Sequence, residues 1–429
     1  MSINRRDTLR IGIFGSAAAA AAAGLPAAAQ TPPKLQVFAH KVHQTVAMGQ
    51  GGDITKAFTE RTKIQVEWVT FDTGPLWERL QRETTLSETT VDVAFLLNTT
   101  VTPRVAGLFT PLDPYMAKAP VEDPPDLFPG LVAGFRSGGA QIAIPYRHAS
   151  SGMHWNEELM AERGVTSPPK TIEEFAEVAK KCTYTRANGA PVVGLVLPGV
   201  AYPNVIDIAR AWDGEFITPD MKVVADQKPM LNAINLLRDL FVAGAFPRNF
   251  AAIQNEDVNV WLQTGRAVFG FSSMGRTQIY NDPAKSQFPG RLKTGPIPVS
   301  RELAGKYSVA PAKVEFWGTA IPRNAKNKDA SWELIRAMAS KESTVITAIN
   351  GNGPVRASAY NDARVKEKLS YADEERKVLL VARAPMPAFD QSQRAADFFK
   401  EEAEAAVLGM KTPEKAMADL TARVKPLLG

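Results

Sequence analysis

Between residues 35 and 97 the chain repeats a pattern that few architectures satisfy. Three apolar runs, LQVFA (35–39), IQVEWVTF (64–71) and VDVAFLL (91–97), alternate with helical segments, one including Ile54 to Glu60 and one at PLWERLQRE (75–83). The third run is nearly continuous in apolar residues, as suits a parallel strand covered on both faces. A β-α-β-α-β order of this kind points to an open α/β sheet. A Pro-rich stretch, PVEDPPDLFP (120–129), follows, and then QIAIPYR (141–147), read as a strand broken by Pro145.

A second α/β unit lies beyond Pro145. In PPKTIEEFAEVAKK (168–181) Thr171 stands three residues before Glu174, the capping-box spacing, and Ile172, Phe175 and Val178 then repeat at helical intervals. VVGLVL (192–197) and RAVFGFSS (266–273) read as strands, and MLNAINLLRDLFVAG (230–244) as a helix that Gly244 ends. A late strand, EFWGTAIP (315–322), leads into the helix SWELIRAMASK (331–341), and from Tyr371 onward the chain reads as mostly helical.

The N-terminus has an export pattern. NRRDTLR (4–10) places paired arginines before an uncharged run, Ile11 to Leu25, that ends in Ala27-Ala28-Ala29. Arg5-Arg6 followed by Leu9 resembles the twin-arginine type, which exports folded proteins. The run is shorter than the roughly 20 residues a membrane span needs, so a signal peptide over residues 1–29, cleaved near Ala29, is expected rather than stable membrane insertion. Cleavage removes Arg5, Arg6, Arg10 and Asp7 and lowers the formal charge from +5 to +3. With no Lys/Arg block, this is no nucleic-acid footprint. Cys182 is alone, so no disulfide forms within the chain, and stability rests on apolar cores.

Ligands of open parallel sheets sit beyond the carboxyl ends of the strands. Residues just past those ends are His40, Lys41 and His43, then Asn98, Thr99 and Thr100, then Tyr146, Arg147 and His148, and finally Ser272, Ser273 and Arg276. The set is rich in donors and holds no carboxylate. His40 and His43 alone do not make a zinc site, which needs three or four ligands, and Lys41 would repel a cation. No G-x-S-x-G elbow is present, and Ser150-Ser151 beside His148 is too generic for a triad. GQGGD (49–53) lacks phosphate-loop spacing and reads as a flexible turn before a helix. No cofactor, metal or catalytic residue is assigned.

WGTAIPRNAKNKDASWELIRAMASKES (317–343) followed by NGNGPVRASAY (350–360) resembles the C-terminal hallmark of the family 1 extracellular solute-binding proteins, the carbohydrate-type receptors of ABC importers. FTERTKIQVEW (58–68), VDVAFLLNTTVTPRVAGLFTPLDPY (91–115), IPYRHASSGMHWNEELMAERGVTSPPKTIEEF (144–175) and WLQTGRAVFGFSSMG (261–275) resemble further stretches of that family in the same order, so the likeness covers nearly the whole mature chain.

The resemblance implies an α/β, two-lobed periplasmic-binding-protein fold (type II, Venus-flytrap) with the ligand cleft between the lobes and hinge closure around the solute. Lobe one is expected over 34–144 plus 313–352, and lobe two over 145–312 plus 353–429. The expected role is a periplasmic receptor, not an enzyme, that acts as a monomer and hands a small solute to ABC permease subunits. Maltose-binding relatives stack sugars on tryptophans and grip hydroxyls with carboxylates. The matching neighbourhoods here read Leu96-Leu97-Asn98, Arg147-His148-Ala149, Ser273-Met274-Gly275 and Phe389-Asp390, while Trp317 and Tyr202 offer apolar faces. Because His40, Lys41, His43, Arg147, His148 and Arg276 are positive or polar, the expected solute is a sugar acid, a phosphorylated or sulfonated polyol, or another small organic anion. A neutral sugar or polyol is the alternative for the same receptor. An exported hydrolase and a metal-uptake receptor are the readings from other classes.

Overall fold

The computed structural model describes residues 33–428; the predicted signal peptide lies outside them. Nine strands form one continuous sheet: β1 (Lys34–His40), β2 (Gln65–Phe71), β3 (Val91–Leu97), β4 (Ile144–Asn156), β5 (Tyr184–Thr185), β6 (Pro191–Val196), β7 (Ala267–Ser273), β8 (Leu292–Gly295) and β9 (Val314–Ala320). Their order is β2-β1-β3-β9-β4-β7-β6-β5, with β8 paired to β4. The helices that position the site are α1 (Lys41–Ala47), α2 (Thr73–Thr84), α3 (Ile172–Lys181), α4 (Tyr202–Ala209), α5 (Lys228–Val242), α6 (Ala372–Leu379), α7 (Ser392–Val407) and α8 (Pro413–Val424).

The sheet contains two parallel cores. β1 pairs in parallel with β2 and β3, and β6 pairs in parallel with β7. β3 is buried at every position except Leu97, which matches its unbroken apolar composition. Two antiparallel strands join the cores. The first half of β4 pairs with β9, from Ile144 opposite Thr319 to Ser150 opposite Val314. Its second half pairs with β7, starting at Ser151 opposite Ser273. One 13-residue strand therefore belongs to both lobes, and the switch falls between Ser150 and Ser151.

Two further segments run beside that switch. Ser151 N donates to Lys313 O (2.9 Å), while Val314 N donates to Arg383 O (2.9 Å) and Arg383 N to Ala312 O (3.1 Å). The chain also passes very close over β4 at Gly353, where a Cβ would lie 2.3 Å from His148 O, so only glycine fits.

Several expectations are corrected. Pro145 does not break its strand: it sits inside β4 opposite Gly318, beside a register shift in which Tyr146 is the extra residue. Proline is tolerated at such a bulge because no ladder N–H is required there. The flexible turn expected at GQGGD is a hairpin, Met48–Gly49 against Gly52–Asp53, and the helix after it begins at Lys56. Thr171 does cap α3, accepting from Glu174 N at 3.2 Å, but the Glu174 carboxylate reaches back to Lys170 N (2.8 Å) and not to Thr171 N.

Candidate functional site

The segment FAHKVHQT (38–45), which holds His40, Lys41 and His43, runs from β1 directly into α1 with no loop between them. His40 ends β1 and caps α1: its Nδ1 accepts from Val42 N (3.1 Å), and its own N–H donates to His43 Nδ1 (3.2 Å). Both bonds require an unprotonated Nδ1, so both imidazoles are neutral with hydrogen on Nε2. Burial pushes the His43 pKa well below its usual range, and desolvation with Arg147 and Lys41 nearby lowers that of His40 although Asp72 opposes the shift. The His43 ring stacks on Phe95 (4.3 Å between centroids) and meets Trp317 edge-on (4.9 Å), and its Nε2 has no partner among the described residues.

The bulge in β4 builds the rest of this cluster. Strand alternation would send Tyr146 and Arg147 to opposite faces, but the extra residue leaves both facing the Trp317 side. Tyr146 is buried against Phe95 (4.9 Å) and donates to His43 O (3.4 Å). Arg147 is half-buried, forms no ion pair or hydrogen bond among the described residues, and has a buried, unpartnered Nε. Burial lowers its pKa, with no carboxylate near enough to oppose the shift.

Beyond the carboxyl end of β3 and the amino end of β9 a cleft of about 500 Å³ opens between the cores. Its lining includes Trp77 from α2, Thr99 and Thr100 from the turn after β3, and Arg104. Glu315 of β9, Tyr202 at the start of α4, and Phe389 and Asp390 just before α7 line it as well. Tyr202 is buried on Phe216 (5.2 Å), and its hydroxyl, itself buried, has no partner among the described residues. A second compartment of about 520 Å³, lined among others by Asn98, Arg136, Arg210, Glu215 and Arg383, shares Pro385, Met386 and Pro387 with the first. The strap 383–388 thus divides one cleft into two. Arg210 fastens it, donating to the carbonyls of Arg383, Ala384 and Pro385 while pairing with Glu215 (2.9 Å).

Of the residues singled out in the sequence, Thr99, Thr100, Tyr202, Phe389 and Asp390 line the first compartment and Asn98 the second; Asn98 Oδ1 also accepts from Phe316 N at 3.0 Å. Trp317 borders a small void with Trp77 and Thr100, one layer behind the first compartment. Lys41 is exposed and pairs with Asp72 (3.1 Å). His148 points to the other face of β4, buried, with Nε2 3.0 Å from the Tyr360 hydroxyl; desolvation lowers its pKa to about 3. Ser273 meets His154 through its carbonyl (3.2 Å), and Arg276 donates to Asn259 (2.7 Å) with Glu256 beside it; neither lines a compartment, and neither do His40, Lys41, His43, Tyr146, Arg147 or His148.

The donor set was expected to lack carboxylates, yet Glu315 and Asp390 both line the cleft. Glu315 was legible by parity, since it lies two residues from Trp317 on one strand and so shares its face. Trp77 and Arg104 carried no comparable sequence signal, because only the packing of α2 and the post-β3 turn brings them together. Among the described residues no three His, Cys, Asp or Glu side chains are grouped to hold a metal ion, and no helix is long and apolar enough to cross a membrane.

The profile of the bacterial extracellular solute-binding proteins matches residues 53–378. A probable ABC transporter-binding protein of Deinococcus radiodurans is 25% identical over 255 residues, 57% of this chain and 58% of that protein, so the chain spans under two thirds of that relative's length. A probable amino-acid ABC transporter periplasmic-binding protein of Sinorhizobium fredii is 23% identical over 87% of this chain and 85% of its own. Among solved structures, the sugar-binding protein MalE of Xanthomonas citri superposes with a TM-score of 0.77 at 20% identity, covering 92% of this chain and 97% of that one, a likeness of fold alone. With its two cores joined through β4 and β9 and a cleft between them, and with the family profile covering most of its length, this chain belongs to the bacterial extracellular solute-binding proteins.

Proposed function

We propose that the protein is the periplasmic receptor of an ABC importer, capturing a small hydroxyl-rich solute between its lobes and delivering it to the permease without chemical change. The observation that carries this reading is the composition of the first compartment: the aromatic side chains of Trp77 and Phe389 stand with the carboxylates Glu315 and Asp390. Carboxylates suit ligand O–H groups, and aromatic faces suit the C–H face of a sugar or polyol. A sugar-binding relative of the same fold and the ABC transporter names of the curated relatives agree with it. Of the groups expected to meet an anionic solute, His43 and His148 are buried and neutral, Lys41 pairs with Asp72 and Arg276 is engaged with Asn259 and Glu256, so support for a negative group comes from Arg147 and from Arg104 in the lining of the first compartment.

Export through the twin-arginine signal, cleavage near Ala29 and action as a monomer belong to the same proposal. So do the lobe limits, with crossings at Ser150–Ser151, Lys313 and Arg383. The third is assigned at Arg383 rather than near Asn352 because Val355 and Ala357 bond to Phe128 and Asp126 of the first lobe. Binding shifts the population from an open to a closed state that the solute bridges.

A thermal-shift screen of neutral sugars, polyols and sugar acids tests this, since a solute at 100 times its Kd stabilises by about 2.7 kcal/mol. Compaction on binding, seen by small-angle scattering, is the second expected result. Turnover of a screened compound would instead favour a hydrolase, and chelator-reversible stabilisation by a metal a metal-uptake receptor.

A further inference from the structure

Folding leaves the Arg147 guanidinium without an acceptor among the described residues. A guanidinium carries five donors, and a half-buried one normally finds carboxylate or carbonyl acceptors. Arg210 and Arg356, both fully buried, have them. Arg147 has none among the described residues, and the groups around it are neutral or positive: His40, His43, Tyr146 and the Trp317 ring opposite. The buried Nε2–H of His43 is a second unpaired donor in the same cluster. Along the shared face of β4 and β9, the Arg147–Trp317 pair stands two residues from the Ala149–Glu315 pair, and Glu315 lines the cleft. Two residues along a strand span about 7 Å, within the length of one sugar ring and its substituent.

We infer that the partly exposed Arg147, set just beyond the lining of the first compartment, is a specificity-determining residue and takes the carboxylate, phosphate or sulfonate of a polyhydroxylated acid whose hydroxyls lie toward Glu315. This rests on the receptor reading and narrows its substrate class. Glu315 repels a second negative group, so the solute carries a single acidic group, at one end. Arginine's planar fork takes such a group through two parallel bonds, which a neutral hydroxymethyl group in the same place does not match.

The test is calorimetric titration of matched pairs differing only at the acidic end: D-gluconate against D-glucitol, D-glucuronate against D-glucose, D-galacturonate against D-galactose, and glucose 6-phosphate against glucose. The proposal expects at least one acid to bind about tenfold or more tighter than its neutral partner. It also expects Arg147→Gln to erase that preference while leaving the neutral partner's affinity in place, and Arg147→Lys to restore part of it. Neutral members binding as well as or better than their acids would overturn the role of Arg147 and leave the receptor for hydroxyl-rich solutes standing. A preference that survives Arg147→Gln, in a variant with an unchanged circular dichroism spectrum, would likewise overturn it. If no member of any pair binds, the hydroxyl-rich reading and this inference both fall.

Discussion

Arg356 and Arg147 are two arginines out of full contact with water, and the molecule treats them in opposite ways. Around Arg356, which is fully buried, the chain supplies the carbonyls of Ala339, Asp123 and Glu122 and the carboxylate of Asp126. Around Arg147 it supplies aromatic rings and neutral imidazoles and, among the described residues, no acceptor. A buried charge with every donor engaged holds segments together, because removing it orphans the acceptors arranged for it. A half-buried charge with no acceptor costs stability in the free protein and regains it only when something brings the missing oxygens. The first belongs to folding and the second to binding.

Mutation should separate the two most sharply at Arg356. Arg356→Ala leaves three carbonyls and Asp126 without their donor and is expected to cost about 3–5 kcal/mol, read as a large fall in Tm. A fall of under 1 kcal/mol would erase the contrast. In the cleft, Glu315→Ala should weaken solute binding about 10- to 100-fold while changing the stability of the free protein by less than ~0.5 kcal/mol, by calorimetry and thermal melts. Smallest of all should be the stability effect of Arg147→Gln: unchanged or raised by up to ~1 kcal/mol, since an unpaired charge is removed. A marked loss there would mean that Arg147 has a structural partner after all.

A fourth prediction concerns pH and the crossing of the lobes. Behind Ser150 the Glu375 carboxylate is buried, accepting from the Ser150 hydroxyl (2.7 Å) and the Tyr360 hydroxyl (2.8 Å), and desolvation raises its pKa to about 7. A folded-state pKa above the ordinary 4.5 gives stability that is complete at low pH and lost as pH rises through about 7. His43, His148 and His154 act in the opposite sense. Burial holds them neutral, so their stability is present above 6.5 and lost as the medium is acidified. With His40 the lowered imidazoles number four, against the raised carboxyls of Glu375, Asp92 and Asp207, and Tm should fall below about pH 6.5. Glu375→Gln removes one of the opposing contributions and should steepen that fall; a shallower acid limb in the variant would show that Glu375 is ionised in the native crossing.

The sheet could be read from sequence because its strands are apolar in runs and its helices announce their starts: Val91–Leu97 and Thr171-x-x-Glu174 state their structure locally. The site was less legible because it is assembled from distant segments. Nothing around Trp77 says that α2 will bring it to the cleft that Tyr202, 125 residues away, also lines. His148 and Arg147 are adjacent in sequence and equally plausible as ligand contacts, yet one faces Tyr360 and the other Trp317. The histidines of FAHKVHQT were recognised as a pair, but their capping of α1 depends on ring orientation, which composition does not convey.

The extra residue in β4 has a consequence for how such a site could be lost. Tyr146 and Arg147 share a face only because β4 counts one residue more than β9 across the bulge. An insertion of a single amino acid after Trp317 would even the count and let Tyr146 turn to the far side, away from His43 and Phe95, with every residue of the cluster still present in the chain. A homologue with that one-residue insertion would keep all the letters of the cluster and have lost its arrangement, so descent of this site is followed better through gaps in an alignment than through substitutions.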